Sequence, residues 1–316
     1  MKVTAIVCGR KNQNTEKLAR VALKGAKEAG AEVMLINLMN LDIRPCVNCR
    51  ACTRQLVDPS FSGHCVQEKD DMVWLDEQVL ASDALLYAAP MYECAVPGTY
   101  KLMCDRLGPS HDVTFKRDIA RQRREAGMET GIDERWFKDR PVAFIGHGGS
   151  EWSLLSFPTL AIPAVPLGLT IVDYMHFEWC SRGVLLDEAK MERVTKCGRH
   201  LAAMAGKKAE EMTYIGNPGI CPVCHCDVVR ANAETGEVLC ALCGAPVRLK
   251  SDGRTLEVIS DEESFRISHV RESGREIHMS DLRENAKLLG NIQAQVEEIM
   301  RPLYEEIPSV YPGHYA

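Results

Sequence analysis

The sequence predicts an α/β fold: a doubly wound five-stranded parallel sheet, followed by a small four-cysteine ribbon domain and a C-terminal helix. Three observations predict it. Short apolar runs alternate with amphipathic helical segments through the first two thirds of the chain. Two Cys-x2-Cys pairs stand close together beyond residue 219. An apolar stripe at helical spacing runs towards the C-terminus.

Strands are predicted at about residues 2 to 8, 32 to 38, 83 to 89, 141 to 146 and 169 to 175. Between the first two, Leu18, Val21, Ala22, Gly25, Ala26 and Ala29 recur on one helical face, with Lys17, Arg20, Lys24, Lys27 and Glu28 opposite. A second helix is expected from Asp70 to Ser82 and a third from Gly98 to Leu107. Residues 108 to 140 are crowded with charge and read as a solvated excursion or partial helix, either a surface insertion or a lid over a bound cofactor, with Trp136 and Phe137 anchoring its return. Pro158, Pro163 and Pro166 forbid one long helix before the fifth strand. The stretch from Leu186 to Lys207 reads as the last helix of this unit, and Asn217-Pro218-Gly219 marks its boundary. The expected domains are 1–210, a ribbon at 219–260 with a short β stretch from Thr255 to Ile259, and a helical extension at 261–316. In that extension Leu282, Ala286, Leu289, Ile292, Val296, Ile299 and Leu303 form one stripe on a helix from about Ser280 to Tyr304. The stripe must pack on something, either a second copy of the chain or the protein's own sheet domain.

The balance of 38 Lys and Arg against 44 Asp and Glu gives a net charge of -6, which makes no case for nucleic acid or an anionic membrane as partner. The apolar run Val3 to Cys8 is too short for a signal-peptide core or a membrane span, so a cytoplasmic protein is expected. Thiols are reduced there, so the fourteen cysteines read as metal ligands or reactive thiols sooner than as disulfides.

The turn after the first strand, Cys8-Gly9-Arg10-Lys11-Asn12-Gln13-Asn14-Thr15, leads straight into a helix. Unpaired backbone N–H groups and the positive end of the helix dipole would converge there on a phosphate. Arg10 adds countercharge; Asn12, Asn14 and Thr15 add donors. A Walker loop and a G-x-G-x-x-G dinucleotide turn are both excluded by the residue order. The third strand ends in Ala89-Pro90-Met91-Tyr92-Glu93-Cys94-Ala95-Val96-Pro97-Gly98, with Lys101, Asp105 and Arg106 on the next helix, and the fourth ends in Gly146-His147-Gly148-Gly149-Ser150-Glu151. All three loops fall at carboxyl ends of strands, where doubly wound sheets bind ligands.

On the Gly-Arg-Lys-Asn-x-Asn-Thr turn, the Pro-x-Tyr and Lys-x3-Asp-Arg pattern and the Gly-rich third loop, residues 1 to 205 resemble the NADPH-dependent FMN reductase and iron-sulfur flavoprotein branch of the flavodoxin-like superfamily. The resemblance implies that Arg10, Asn12, Asn14 and Thr15 hold the phosphate of FMN. It implies that Pro90, Met91, Tyr92, Glu93, Cys94 and Val96 border the isoalloxazine ring, and that Gly146, His147, Gly148, Gly149 and Ser150 complete the pocket. It further implies hydride transfer from NADH or NADPH, and delivery of electrons to a small acceptor such as a quinone or flavin. The flavin carries that chemistry, so no catalytic side chain is assigned. His147 reads as a loop histidine bonded to its neighbours, with proton donation to the acceptor as the alternative.

Two cysteine clusters remain. Cys46-x2-Cys49-x2-Cys52 is followed after twelve residues by Cys65. These thiolates are candidate ligands for a [4Fe-4S] cluster, with redox-active thiols or zinc as alternatives. Cys221-Pro-Val-Cys224 and Cys240-Ala-Leu-Cys243-Gly244 are the two knuckles of a zinc ribbon, with a rubredoxin-like iron site as the rival and His225 and Cys226 as spare donors. Cys94 is the one thiol placed in the presumed flavin loop. Beside an enzyme with a small-molecule or redox-protein partner, organised as a homo-oligomer, two other classes remain open. They are a non-enzymatic electron carrier and a binding protein working through the ribbon, although Arg230, Arg248, Lys250 and Arg254 offer no aromatic stacking platform for nucleic acid.

Overall fold

β1 (Lys2–Val7), β2 (Glu32–Asn37), β3 (Ala84–Pro90), β4 (Pro141–His147) and β5 (Thr170–Phe177) form one sheet in spatial order β2-β1-β3-β4-β5, every neighbouring pair parallel. This is the flavodoxin-like order, in which the chain reverses direction between β1 and β3 and opens a ligand crevice at their carboxyl ends. The helices are α1 (Asn14–Glu28), α2 (Ala51–Arg54), α3 (Met72–Leu80), α4 (Gly98–Arg106), α5 (Val113–Glu125), α6 (Ser156–Leu160), α7 (Glu188–Met204), α8 (Glu262–Arg266) and α9 (Glu272–Glu306). The structure is a computed structural model that describes all residues except 55, 57, 59, 61–63, 252, 254, 255, 260 and 308–316, with the side chains of 256, 289, 290 and 305 also outside the description. Thr255, Arg254 and the side chain of Leu289, singled out above, therefore lie outside the described residues.

The strands are buried on both faces, which is why they read as nearly continuous apolar runs. Val3, Ala5, Val7, Leu86, Ala88 and Ile145 point to a layer made by α1 and α7. Ile6, Leu85, Tyr87, Val142 and Phe144 point to the other layer, against α3, α4 and α6. On the first face the helices cross so closely that a Cβ on Gly198 would stand 1.7 Å from the Ala22 carbonyl oxygen, and one on Gly25 would stand 2.2 Å from that of Thr195. Glycine is required at both positions by backbone approach.

The charged segment after α4 folds as the partial helix of the two readings, α5, and not as a solvated excursion. α5 is capped by Asp112, whose side chain accepts from the Thr114 and Phe115 amides, and it buries Val113, Phe115, Ile119 and Ala120. Its charges are buried because they find partners. Asp118 pairs with Arg121 and with Arg283 of α9, and the Lys116 ammonium lies 4.5 Å from the Trp136 ring centre. Trp136 is buried, as an anchor should be. The segment forms a platform for α9, and none of its residues lines the crevice at the carboxyl ends of β1, β3 and β4.

α9 begins at Glu272, a full two turns before the expected start, because its first turns dock through polar Arg275, whose Nε donates to Thr114 Oγ1 at 3.0 Å. Met279 and Leu282 then pack with Leu56 and Phe115. Further along, Val296, Ile299 and Leu303 of the apolar stripe are 46%, 71% and 42% exposed. The ribbon consists of two antiparallel hairpins, β6 (Val229–Ala231) with β7 (Val238–Cys240) and β8 (Arg248–Ser251) with β9 (Leu256–Ile259). Cys221, Val223, Cys224 and Val247 join the same apolar cluster as Leu167, Leu169 and Ile171, so the ribbon shares its core with the sheet domain. Among the described residues no helix is long and apolar enough to cross a membrane.

Candidate functional site

The turn after β1 is shaped from below. Glu16, 3% exposed, accepts from the Asn12 amide at 3.0 Å and from Arg20 of the next helical turn, and Arg20 first among its neighbours holds its carboxyl below the usual range. The Asn37 side chain donates to the Gly9 carbonyl at 2.8 Å. Asn12 takes a left-handed φ of 57°. Gly9 is required because a Cβ would stand 2.7 Å from Thr15 Oγ1. α1 then begins with no side chain capping it, so its first-turn amides remain available for an anion.

Across the crevice, Thr15 Oγ1 hydrogen-bonds His147 Nε2 at 2.6 Å. Burial, with His176 nearby, pushes His147 down to about 4, so its ring is uncharged at neutral pH. The second loop is a tight hairpin in which the amides of Tyr92 and Ala95 each donate to the other's carbonyl, at 2.8 and 3.2 Å. Glu93 and Cys94 occupy its centre with φ of 47° and 73°. Two successive left-handed non-glycine residues store backbone strain, a feature that concentrates at ligand clamps.

These loops enclose a crevice of about 200 Å³ lined by Gly9, Arg10, Gln13, Asn14, Thr15, Pro90, Met91, Tyr92, His147, Gly148, Gly149, Cys180 and Ser181. The structure thus brings together Arg10, Asn14, Thr15, Pro90, Met91, Tyr92, His147, Gly148 and Gly149 of the sequence-derived set. Asn12, Glu93, Cys94, Val96, Gly146 and Ser150 are not among the residues that line it, and several shape the loops that do. Gly146 belongs to β4, where a Cβ would collide with Ser156 Oγ at 2.4 Å. The Val96 amide donates to Thr159 Oγ1 at 3.3 Å, and the Ser150 hydroxyl accepts from the Trp152 amide at 3.1 Å. Cys180 and Ser181 are not legible in sequence, because the loop after the edge strand carries no motif. Glu16 and Asn37 are hidden for another reason, since a helical Glu and a strand-end Asn read as solvent-facing.

Arg106 does not reach the crevice. Buried against Asp70, it donates to the Gln67 carbonyl at 2.7 Å and the Arg44 carbonyl at 3.1 Å, clamping both ends of the cysteine loop. Within that loop Asn48 and Arg50 are left-handed. Burial pushes the Cys52 thiol up, with Cys65, Cys46 and Cys49 adding to the effect. These four sulfurs do not close to single-ion separation: among the described residues the group that does so is Cys221, Cys224, Cys240 and Cys243, all buried, with sulfurs within 4.8 Å of one another. Cys221 and Cys243 sulfurs are 3.6 Å apart and those of Cys224 and Cys240 3.4 Å. Tetrahedral zinc with bonds of ~2.3 Å needs about 3.8 Å between sulfurs, so the donor set fits. Cys226 bonds the Val228 carbonyl and His225 stacks on Tyr214 at 3.7 Å, leaving both outside the group.

Residues 1–157, which carry all three loops and every lining residue of the crevice except Cys180 and Ser181, match the family model for NADPH-dependent FMN reductase. A flavone synthase of Aspergillus candidus is 32% identical over 303 residues, 92% of this chain and 91% of that protein. The chain belongs to the NADPH-dependent FMN reductase family. It is an oxidoreductase of this FMN- and NAD(P)H-dependent family, with a four-cysteine site and a C-terminal helix added. An iron-sulfur flavoprotein of Methanosarcina thermophila is 37% identical over 179 residues, 52% of this chain and 90% of the relative. A solved flavone reductase superposes with a TM-score of 0.83 at 26% identity, covering 99% of each chain. The likeness to that neighbour thus extends beyond the family match, through the ribbon and long helix.

Proposed function

We propose that the crevice holds FMN and that the chain passes electrons from NAD(P)H to a small, planar, conjugated acceptor such as a quinone, a flavin or a flavone. The observation that carries this reading is the convergence of the three carboxyl-end loops on one crevice, tied by the Thr15–His147 bond. When bound, FMN supplies the two-electron chemistry, taking hydride from NAD(P)H and passing reducing equivalents on. Arg10, the Thr15 hydroxyl and the first-turn amides of α1 would hold its phosphate, and Pro90, Met91, Tyr92, Gly148 and Gly149 would border its ring. An uncharged His147 orients Thr15 and adds no cation beside the phosphate. The two relatives of full length carry flavone in their names, which supports a flavone over a protein electron acceptor.

Zinc at Cys221, Cys224, Cys240 and Cys243 would be structural, since four thiolates leave no open position. At Cys46, Cys49, Cys52 and Cys65 a [4Fe-4S] cluster is the reading favoured by the iron-sulfur relative and by the Cys-x2-Cys-x2-Cys spacing in the sequence. Anaerobic reconstitution should load about four irons per chain, and Cys49→Ser with Cys52→Ser should abolish that loading. The unpaired state of all fourteen cysteines agrees with a reducing, cytoplasmic setting.

The deciding assay is anaerobic oxidation of NADPH or NADH with menadione, FMN or flavone as acceptor. Turnover with at least one of them is expected. Rapid electron exchange with a redox protein but none with these three would favour a carrier.

A further inference from the structure

A cavity of about 1150 Å³ opens between the carboxyl end of β5 and the ribbon, with Ser153, Ser156, Tyr174, His176 and Trp179 on one wall and Val229 of the ribbon on the other. It adjoins the flavin crevice through a shared loop. Gly148, which lines the crevice, backs on Ser153, since a Cβ there would lie 3.4 Å from the Ser153 Cβ. The Cys180 amide donates to the Gly148 carbonyl at 3.1 Å, joining the crevice to the segment that carries Trp179.

We propose that this cavity is the acceptor site and takes a planar aromatic compound of two or three rings bearing a carbonyl or phenolic oxygen; the assignment rests on the FMN reading above. Three features of the wall select that chemistry. The Tyr174 ring is fixed by stacking on Phe157 at 4.0 Å and 3°, and Trp179 is held in a left-handed conformation with the Arg182 guanidinium 3.8 Å from its ring centre. Rigid aromatic faces of this kind favour flat ligands. Leu154 lies on the lining yet is 70% exposed, an apolar side chain offered to whatever enters.

The third feature is a chain of hydrogen-bonding groups. His176 Nε2 lies 2.7 Å from Ser153 Oγ and its Nδ1 lies 2.9 Å from Ser156 Oγ. Burial pushes His176 down to about 4, so the ring is neutral and carries one N–H. In one tautomer the ring donates to Ser156, leaving the Ser156 O–H to donate, and accepts from Ser153, leaving the Ser153 oxygen to accept. In the other tautomer the direction reverses. Either way one end of the chain offers a donor and the other an acceptor, which suits a ligand carrying both a carbonyl and a phenol. The ribbon supplies the far wall, giving this added domain a place in substrate binding.

The test is a fluorescence titration of the FMN-loaded full chain with flavone, on wild type, Val229→Trp and Leu154→Asp. Val229→Trp fills the cavity from the ribbon side, and Leu154→Asp alters an exposed side chain whose replacement spares the core. Flavin and zinc content report that each variant is folded. Binding at least tenfold weaker in both variants is expected. Unchanged affinity in both, or no binding to wild type, overturns the assignment. Turnover of flavone that both variants retain would overturn the cavity while leaving the FMN reading standing. Weakened binding with no turnover in wild type would support the cavity and count against the acceptor reading.

Discussion

Thr15 and His147, from the first and third loops of the crevice, are joined by a 2.6 Å hydrogen bond between Oγ1 and Nε2. The bond makes the phosphate turn and the Gly-rich loop one unit. Thr15→Val preserves shape and removes the hydroxyl, which takes away both this bond and the phosphate donor proposed above. FMN affinity should fall about tenfold, for a loss of roughly 1.4 kcal/mol, with Cys180 and Ser181 unaffected. Titration of apoprotein by quenching of flavin fluorescence measures it, and affinity within twofold of wild type would refute the role.

Acid should unlock the same wall. His147 and His176 are each pushed down to about 4 by burial, against about 6.5 for an ordinary imidazole. Between those values the unfolded chain binds protons that the folded chain does not. Their contribution to stability is therefore complete above about 6.5 and is lost as the pH falls towards about 4, with a slope of up to about 1.4 kcal/mol per pH unit for each. Urea denaturation of apoprotein across this window should show the fall, and His147→Gln should flatten it. A slope identical in the variant would contradict the burial of a neutral ring.

Cys240→Ser should abolish the four-thiolate site. Because metal binding supplies folding energy to so small a unit, the ribbon hairpins should lose protection in hydrogen exchange, while FMN, held by the other loops, stays bound. Retention of one zinc per chain with full ribbon protection would count against the assignment.

Gly198→Ala should destabilise the sheet domain by about 3 kcal/mol, because the added methyl meets the Ala22 carbonyl and must part α1 from α7. The gain in helix propensity, about 1 kcal/mol, is too small to offset it. A thermal midpoint equal to wild type would mean that the helices separate freely.

Much of the fold is legible in the residues themselves. Strands buried on both faces write themselves as apolar runs, so the expected bounds of β1, β3 and β4 agree with the observed ones to within a residue or so. The Cys-x2-Cys knuckles announce the ribbon site, since four thiolates need close spacing. α5 is harder to see, because Lys116 and Asp118 are buried against the Trp136 ring and Arg283, partners distant in sequence that no local pattern records. The start of α9 escapes the apolar pattern for the same reason, as buried Arg275 carries no apolar period. The chain from Ser153 to Ser156 through His176 joins residues of a loop, a short helix and an edge strand, a relationship that exists only once β5 pairs with β4.

The most direct test of FMN binding in the crevice is the identity and retention of the flavin. Native protein, denatured and analysed by chromatography, should release FMN at about one per chain, and Arg10→Ala with Thr15→Ala should lose most of it on gel filtration while keeping its folded spectrum. Stoichiometric FAD, or FMN retained as tightly by the double variant, would contradict the assignment of the crevice.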